Sequence, residues 1–183
     1  MVTKLPPDSA AADASRIVAM GVAGSGKSTL GRAVADALGC RFVEGDDYHL
    51  PDSQRKMREG IALTDADREP WLDRIGELLA AEPASLVVSC SALKRRYRDR
   101  LRVRVPDLRF VFVDISREEA ARRVASRPAH LFPTSLVASQ FEALESPVGE
   151  AGVLAVPATE ATERQVGDVL RWLGRAAGAA PAG

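Results

Sequence analysis

The sequence predicts an α/β fold in which a five-stranded parallel sheet carries helices on both faces, and two observations support it. Short apolar runs, typical of buried strands, occur at residues 17–20, 41–43, 86–89, 110–113 and 153–156. Segments with apolar residues every three or four positions, typical of helices, occur at 28–38, 69–81, 92–102, 117–126 and 161–173. Strands that alternate with helices form parallel sheets covered on both faces.

The composition favours one domain that binds a small ligand. A chain of 183 residues is long enough for one buried core. We expect a folded domain at residues 16–173 between disordered tails at 1–15 and 174–183, which lack apolar periodicity. The 25 basic and 25 acidic residues balance, so no net charge attracts nucleic acid or an anionic membrane. No apolar run reaches the roughly 20 residues that span a bilayer, and no leader is evident, which predicts a cytoplasmic protein.

Residues 21–28 read Gly-Val-Ala-Gly-Ser-Gly-Lys-Ser and match the phosphate-loop pattern G-x-x-x-x-G-K-[ST], directly after the first predicted strand. The glycines of such a loop let successive backbone N–H groups turn toward phosphate oxygens, while Lys27 reaches the β- and γ-phosphates and the Ser28 hydroxyl ligates Mg²⁺. The helix that follows adds its positive N-terminal end. The alternative is a glycine-rich turn that binds nothing. The complete pattern favours a three-layer P-loop NTPase fold.

An acidic cluster follows the second predicted strand, with the sequence Glu-Gly-Asp-Asp-Tyr-His at residues 44–49. This turn is expected near the phosphate loop, because ligands bind at the carboxyl ends of parallel strands. Mg²⁺ uses few protein carboxylates and keeps several waters. Either Glu44 or Asp46 can therefore hold it through a water, while the other orients a substrate hydroxyl. The alternative is a solvated turn. For His49, hydroxyl binding and a structural hydrogen bond are both open.

A helix start is predicted within residues 56–72. Thr64 or Asp67 can cap it. Pro70 fits the first turn of a helix, and Trp71 is expected in the core.

The segment at 94–104 is strongly basic, with seven lysines and arginines in eleven residues. Nucleic-acid binding by stacking needs interleaved aromatic residues, and only Tyr97 is present. Lys94 and Arg98 share one helix face. We therefore expect a single anionic substrate group opposite that pair.

Taken in order, these motifs resemble the gluconokinases, which transfer phosphate from ATP to the 6-hydroxyl of D-gluconate. Beyond the phosphate loop, the resemblance rests on G-D-D-Y-H (45–49), K-M-R-E-G-I-A-L-T-D-A-D-R-E-P-W-L (56–72), C-S-A-L-K-R-R-Y-R-D-R-L-R (90–102) and R-P-A-H-L-F-P-T-S-L-V-A-S-Q-F-E-A-L-E-S-P (127–147). It covers about residues 16–173. It implies a nucleoside-monophosphate-kinase-like fold, a small helical lid near residues 123–147, and a homodimer.

The resemblance also implies roles for individual residues. It places the ATP phosphates on Gly21, Gly24, Ser25, Gly26, Lys27, Ser28 and Thr29. It places Mg²⁺ at Ser28, Glu44 and Asp46. It places D-gluconate near Asp46, His49, Lys56, Arg68, Lys94, Arg98 and His130. The implied catalytic residues are Lys27, Asp46, Arg123 and Arg127. Of these, Asp46 orients the 6-hydroxyl, and the two arginines approach the transferring phosphate as the lid closes. The alternative for the arginines is a solvated helix face.

The sequence departs from the gluconokinase pattern at a few positions. Leu50, Pro51 and Ser53 occupy a stretch that usually has an earlier proline and an asparagine; Ala62 replaces a proline and Leu131 a phenylalanine. These differences bear on substrate contacts and leave the phosphate loop complete.

Three other functions fit parts of the sequence. Shikimate kinase shares the phosphate loop and a pair of acids after the second strand, but not the matches at 56–72 and 90–102. A guanine-specific switch reads its base with Asn-Lys-x-Asp, and this chain contains no asparagine. A nucleic-acid or inactive binding module has no need to keep Lys27, Ser28 and the acidic cluster together.

Overall fold

The computed structural model describes residues 14–126 and 135–175, and the strands within them form one parallel sheet. These strands are β1 (Arg16–Met20), β2 (Arg41–Glu44), β3 (Leu86–Ser89), β4 (Arg109–Asp114) and β5 (Val153–Pro157). Their order across the sheet is β2-β3-β1-β4-β5, and each neighbouring pair is parallel. The predicted five-stranded parallel sheet is confirmed for the described part of the chain.

Helices cover both faces of the sheet, as predicted. They are α1 (Lys27–Leu38), α2 (Pro51–Arg58), α3 (Asp65–Ala81), α4 (Arg95–Arg104), α5 (Arg117–Ala125), α6 (Ser135–Ala143) and α7 (Thr162–Trp172), with a 3-10 turn at Gly45–Tyr48. None of the described helices is both long and apolar enough to cross a membrane.

Side chains that alternate along the strands divide the apolar residues between two cores. On one face of the sheet, Ile17 of β1 packs in a cluster with Val34 of α1 and Val169 of α7. On the other face, Val18 of β1 packs in a cluster with Trp71 of α3. All five side chains are buried. Burying a large apolar side chain contributes roughly 1.5–3 kcal/mol, so the sheet is stabilised from both sides and its strand ends are held in place.

The start of α3 differs from the prediction. The helix begins at Asp65 rather than residue 69, because Thr64 and Asp67 form a reciprocal capping box. Pro70 therefore lies in the second turn and not in the first. Trp71 is fully buried, as predicted.

Two other helices show the limits of apolar periodicity. α4 begins at Arg95 rather than residue 92, because Ala92 has a left-handed φ of 42° and Lys94 is extended. α2 was not predicted, since only Met57 among its eight residues is a large apolar side chain. Its Pro51 occupies the first helical position, where the missing N–H has no cost.

The predicted domain boundaries fall at the edges of the described chain. Ser15 was placed in the N-terminal tail, but its N–H donates to Ser85 Oγ at 2.9 Å and its carbonyl accepts from the Leu86 N–H at 3.0 Å. The structured chain therefore includes Ser15. Residues 1–13 and 176–183 lie outside the described residues, as does the middle of the predicted lid, 127–134.

A buried ion pair joins α4 to the segment that follows α6. Arg98 is 0% exposed, and its guanidinium donates to the Glu150 carboxylate at 2.5 and 3.1 Å. It also donates to the carbonyls of Ala92, Leu93 and Glu145 at 2.9, 3.0 and 3.1 Å. The protein itself therefore satisfies this guanidinium on all of its nitrogens.

Breaking this pair is expected to destabilise the fold strongly. Arg98→Met removes the buried partner of the Glu150 carboxylate, which is 11% exposed, and leaves it paired with the more exposed Arg102 at 3.0 Å. Loss of a buried partner typically costs about 3–5 kcal/mol, and the remaining pair with Arg102 reduces this loss. The control is Arg100→Met, because Arg100 pairs with Asp73 while 39% exposed, and exposed pairs contribute about 0–1 kcal/mol. Urea unfolding followed by circular dichroism measures both variants. Equal losses would contradict the structural role assigned to Arg98.

Candidate active site

A cleft of about 430 Å³ opens at the carboxyl ends of β1, β2 and β3. In the sheet, β3 and β2 lie on one side of β1, and β4 and β5 lie on its other side. The order of the strands therefore reverses direction at β1. Ligands of open α/β sheets bind at such switch points. The walls come from the phosphate loop, the 3-10 turn, α2, the loop before α3, and α6. The predicted site residues that line it are Gly24, Lys27, Ser28, Glu44, Asp46, His49 and Arg68.

The phosphate loop has the backbone that its glycines permit. Gly24 and Gly26 have φ values of 80° and 96°, which disfavour any residue with a Cβ. A Cβ on Gly24 would lie 2.8 Å from the Ala120 carbonyl oxygen, so the loop packs directly on α5. α1 begins at Lys27, and its unpaired N-terminal N–H groups lie at the cleft.

The remaining predicted phosphate residues have different surroundings. Gly21 is packed so closely that a Cβ would lie 3.0 Å from the Val113 carbonyl oxygen. Ser25 is buried, and its hydroxyl has no hydrogen-bond partner within the described residues. Thr29 is exposed on α1. Their contact with phosphate stays a prediction.

The acidic turn is fixed by Gly45. A Cβ at this position would lie 2.0 Å from the Ser89 carbonyl oxygen at the end of β3. The Gly45 N–H donates to Ser89 Oγ at 3.1 Å, and the Gly45 carbonyl accepts from the Trp71 indole N–H at 2.7 Å. The turn therefore approaches β3 as closely as a backbone can, and α3 holds it from the other side.

The geometry brings Glu44 and Ser28 into contact. The Glu44 carboxylate accepts hydrogen bonds from Ser28 Oγ at 3.1 Å and from Ser89 Oγ. Asp46 lies further along the turn with its side chain 54% exposed. No cluster of three or more His, Cys, Asp or Glu side chains forms a metal site in residues 14–126 and 135–175. A donor set of one hydroxyl and one carboxylate fits Mg²⁺, because this ion keeps several waters and binds nucleotide phosphates.

His49 is held against Trp71. The two rings stack with centroids 4.1 Å apart and planes at 16°, and His49 is 4% exposed. Burial lowers the pKa of His49 to about 4, although Asp46 raises it, so the ring is neutral at pH 7. Its Nδ1 has no hydrogen-bond partner in the described part of the chain. This unpaired nitrogen is itself buried, so hydroxyl binding by His49 stays a prediction.

Arg68 lines the cleft and is available to a ligand. Its side chain forms no ion pair or hydrogen bond with residues 14–126 or 135–175. Arg58 at the end of α2 also lines the cleft without such a partner in the described ranges. A guanidinium presents two parallel N–H donors to a carboxylate. The cleft therefore has two free anion-binding groups besides Lys27.

Three other predicted substrate residues do not line the cleft. Lys56 Nζ lies 2.7 Å from Asp67 Oδ1, and hydrogen bonds from Lys56 and Thr64 lower the pKa of Asp67 to about 2. Lys94 Nζ lies 2.9 Å from Asp65 Oδ1. Arg98 is fully buried in its pair on α4. The prediction that an anionic substrate group pairs with Lys94 and Arg98 is therefore wrong, because carboxylates of the protein itself already pair with both cations.

Arg123 also lies outside the cleft. Its guanidinium donates to Glu119 Oε1 at 2.6 Å, to the Ser25 carbonyl at 3.5 Å and to the Ala158 carbonyl at 3.0 Å. It thus supports the phosphate loop through the loop's main chain, and its predicted approach to a transferring phosphate as the lid closes stays a prediction. Arg127 and His130 lie outside the described residues, and their roles stay predictions.

Sequence reasoning gave no site role to six polar residues that line the cleft: Asp47, Gln54, Arg58, Ser91, Ser139 and Gln140. Arg58 and Ser91 stand within quoted motifs but were given no role. The signal for Gln140 was its position in α6 between Val137 and Phe141, which pack on the same core. A glutamine within such an apolar stripe needs a hydrogen-bond partner.

A phosphate loop, an acidic turn and a free arginine within one cleft of a parallel sheet define a P-loop kinase for a small acceptor. The shikimate kinase family model matches residues 23–146. The gluconokinase of Gluconobacter oxydans (strain 621H) is 43% identical over 144 residues, which cover 76% of this chain and 80% of that protein. The thermosensitive gluconokinase of Escherichia coli (strain K12) is 41% identical over 133 residues, 71% of each chain.

A solved structure agrees with the sequence matches. The crystal structure of a gluconokinase from Sinorhizobium meliloti 1021 is 49% identical, with a TM-score of 0.80, and the match covers 90% of this chain and 94% of that one. The chain belongs to the gluconokinase family.

The buried His49 is expected to make the fold sensitive to acid. Its folded-state pKa is about 4, below its unfolded value of about 6.5, so the unfolded chain binds one more proton between these pH values. Stability is therefore fully present above about pH 6.5 and is lost as the pH falls toward 4, by about 2–3 kcal/mol. His49→Phe keeps a ring against Trp71 and removes this titration. Urea unfolding at pH 7 and 4.5 should show a smaller loss for the variant, and an equal loss would refute the assignment.

Proposed function

We propose that this protein is an ATP-dependent gluconokinase, which transfers the terminal phosphoryl group of ATP to the 6-hydroxyl of D-gluconate and releases ADP and 6-phospho-D-gluconate. The observation that carries the proposal is one cleft lined by the phosphate loop, Asp46 and the unpaired Arg68. Membership of the gluconokinase family supplies the identity of the acceptor.

On the nucleotide side, the backbone N–H groups of the phosphate loop and the first turn of α1 bind the phosphates. Lys27 has no ion pair or side-chain hydrogen bond in the described ranges, so its ammonium is free for the β- and γ-phosphate oxygens. Ser28 would hold Mg²⁺ directly through its hydroxyl, and Glu44 would hold it through a water. When bound, this ion neutralises charge on the phosphates.

On the acceptor side, Asp46 acts on the 6-hydroxyl. Its carboxylate accepts the hydroxyl proton as the new O–P bond forms and the bond from the phosphorus to the ADP oxygen breaks. Phosphoryl transfer depends mainly on position and charge neutralisation, so a carboxylate that orients the hydroxyl is sufficient as a base. His49 lines the cleft beside Asp46 and contacts another hydroxyl of the acceptor.

The carboxylate of gluconate pairs with Arg68. Among the basic residues predicted near gluconate, Lys56, Lys94 and Arg98 pair with carboxylates of the protein, whereas Arg68 lines the cleft without a side-chain partner in the described ranges. Arg58 lines the same cavity and provides a second positive charge. The carboxylate and the 6-hydroxyl lie at opposite ends of gluconate, which matches separate binding groups for the two ends.

Two further parts of the proposal concern the whole protein. We propose that it acts as a homodimer, as the resemblance to gluconokinases implies, and that it acts in the cytoplasm, as the sequence predicts. Light scattering coupled to size-exclusion chromatography measures the oligomeric state directly, and a monomeric mass at micromolar concentration would overturn the dimer.

The acceptor is tested by ADP release from Mg-ATP with D-gluconate, shikimate, other sugar acids and hexoses in turn. We expect turnover that depends on gluconate, and Lys27→Ala should remove nearly all of it while the circular dichroism spectrum stays unchanged. Shikimate belongs in the panel because the shikimate kinase family model matches this chain. Turnover with another acceptor would refute the gluconate assignment, and ADP release without any acceptor would indicate a nucleotide hydrolase instead.

The role of Asp46 is tested by Asp46→Asn. The amide cannot accept the hydroxyl proton, so kcat should fall by about 10²-fold or more while KM for ATP changes little. The control is Asp52→Asn, since Asp52 is 80% exposed on α2 and pairs only with Arg55. Steady-state kinetics with gluconate varied at saturating ATP separate kcat from KM. A kcat near that of the unmodified protein would mean that Asp46 does not orient the hydroxyl.

A further inference from the structure

α6 contacts the phosphate loop through one side chain. Gln140 Oε1 accepts a hydrogen bond from the Ala23 N–H at 2.7 Å, and the glutamine is 9% exposed. A backbone N–H can only donate, so the amide oxygen must face the loop and the orientation of the carboxamide is fixed by chemistry. The NH₂ group, on the other side of the carboxamide carbon, therefore points away from the Ala23 N–H.

The two N–H donors of the NH₂ group are not used by the described part of the protein. It has no hydrogen-bond acceptor in residues 14–126 and 135–175, and it is not among the buried unpartnered atoms of those residues. Gln140 lines the cleft together with Lys27, Asp46 and Arg68. A polar group that is held rigidly at one end and left open to a ligand cavity at the other is typical of a binding residue.

The position of Gln140 indicates which ligand atom it meets. Two N–H donors of the phosphate loop are already used within the protein: that of Ala23 by Gln140 and that of Ser25 by the Val22 carbonyl at 3.3 Å. The amide thus replaces one backbone donor by two side-chain donors that reach further into the cleft. An NH₂ group only donates, which suits phosphate oxygens, whereas Asp46 only accepts, which suits a hydroxyl.

We propose that Gln140 is a ligand of the terminal phosphoryl group of ATP, to which its amide NH₂ donates a hydrogen bond while its amide oxygen stays on the Ala23 N–H. This inference rests on the proposed function, because the phosphoryl group belongs to ATP. The competing explanation is that Gln140 only anchors α6 to the loop.

Two variants and two nucleotides separate these explanations. Gln140→Glu keeps an oxygen for the Ala23 N–H but replaces the NH₂ by a second oxygen. Gln140→Met has a similar length and provides neither group. ADP lacks the terminal phosphoryl group, and the non-hydrolysable β,γ-imido analogue of ATP has it. Isothermal titration calorimetry with Mg²⁺ and without an acceptor gives the Kd of each nucleotide for each variant.

If Gln140 binds the terminal phosphoryl group, both variants should bind the ATP analogue about tenfold or more weakly, as expected for a lost hydrogen bond to a charged group. Their affinity for ADP should change less than about threefold on the same scale. The proposal is overturned if Gln140→Met weakens the binding of both nucleotides equally while Gln140→Glu weakens neither, because this result is expected of an anchor alone. It is also overturned if neither variant changes the ratio of the two affinities.

The outcome is independent of the acceptor. Because the titrations contain no acceptor, failure of the gluconate assignment leaves them unchanged. If the unmodified protein binds neither nucleotide, both the proposed function and this inference fail, and the ADP-release panel would show no turnover with any acceptor.

Discussion

The approach of Gly45 to the end of β3 is the constraint on which the cleft depends. Glu44 and Ser89 are partners at the end of the β2–β3 ladder, and the chain then turns so tightly that a side chain at Gly45 would overlap the β3 backbone. Ser89 Oγ serves both the Gly45 N–H and the Glu44 carboxylate. Trp71 completes the junction from α3. The carboxylate that meets Ser28 is therefore placed by the sheet itself rather than by a flexible loop, which is the preorganisation that phosphoryl transfer requires.

The distribution of ion pairs separates structural cations from binding cations. Lys56 and Arg98 are paired with carboxylates of the protein, one at a helix start and the other in a fully buried site. A ligand anion would have to break such a pair before it could bind. Lys27 and Arg68, in contrast, lose no protein partner from the described ranges when they meet an anion. An unpaired cation in a cleft lowers the stability of the fold, and proteins keep such destabilising groups where function requires them.

The sequence predicted the sheet, most of the helices and the two sides of the cleft because those features follow from periodicity and from motif spacing. It could not predict that Arg98 is buried, because its burial depends on Glu150, which lies 52 positions away in the sequence. The local pattern of a basic helix does not show whether such a distant carboxylate packs against it. Lys94 precedes α4 and pairs with Asp65, whereas Arg98 lies within the helix and pairs with Glu150. Such partners are long-range contacts, which local patterns do not contain. α2 was not predicted because a polar helix lacks an apolar stripe, and α6 was expected only as part of the helical lid near residues 123–147.

The segment from α6 to Glu150 is held to both halves of the site. At one end, Gln140 contacts the phosphate loop at Ala23; at the other, Arg98 binds Glu150 beside the start of α4. Packed elements with discrete contacts transmit displacement rather than absorb it. A shift of the loop upon phosphate binding would therefore act on α6 through a 2.7 Å hydrogen bond, while the buried ion pair keeps the far end of the segment in place.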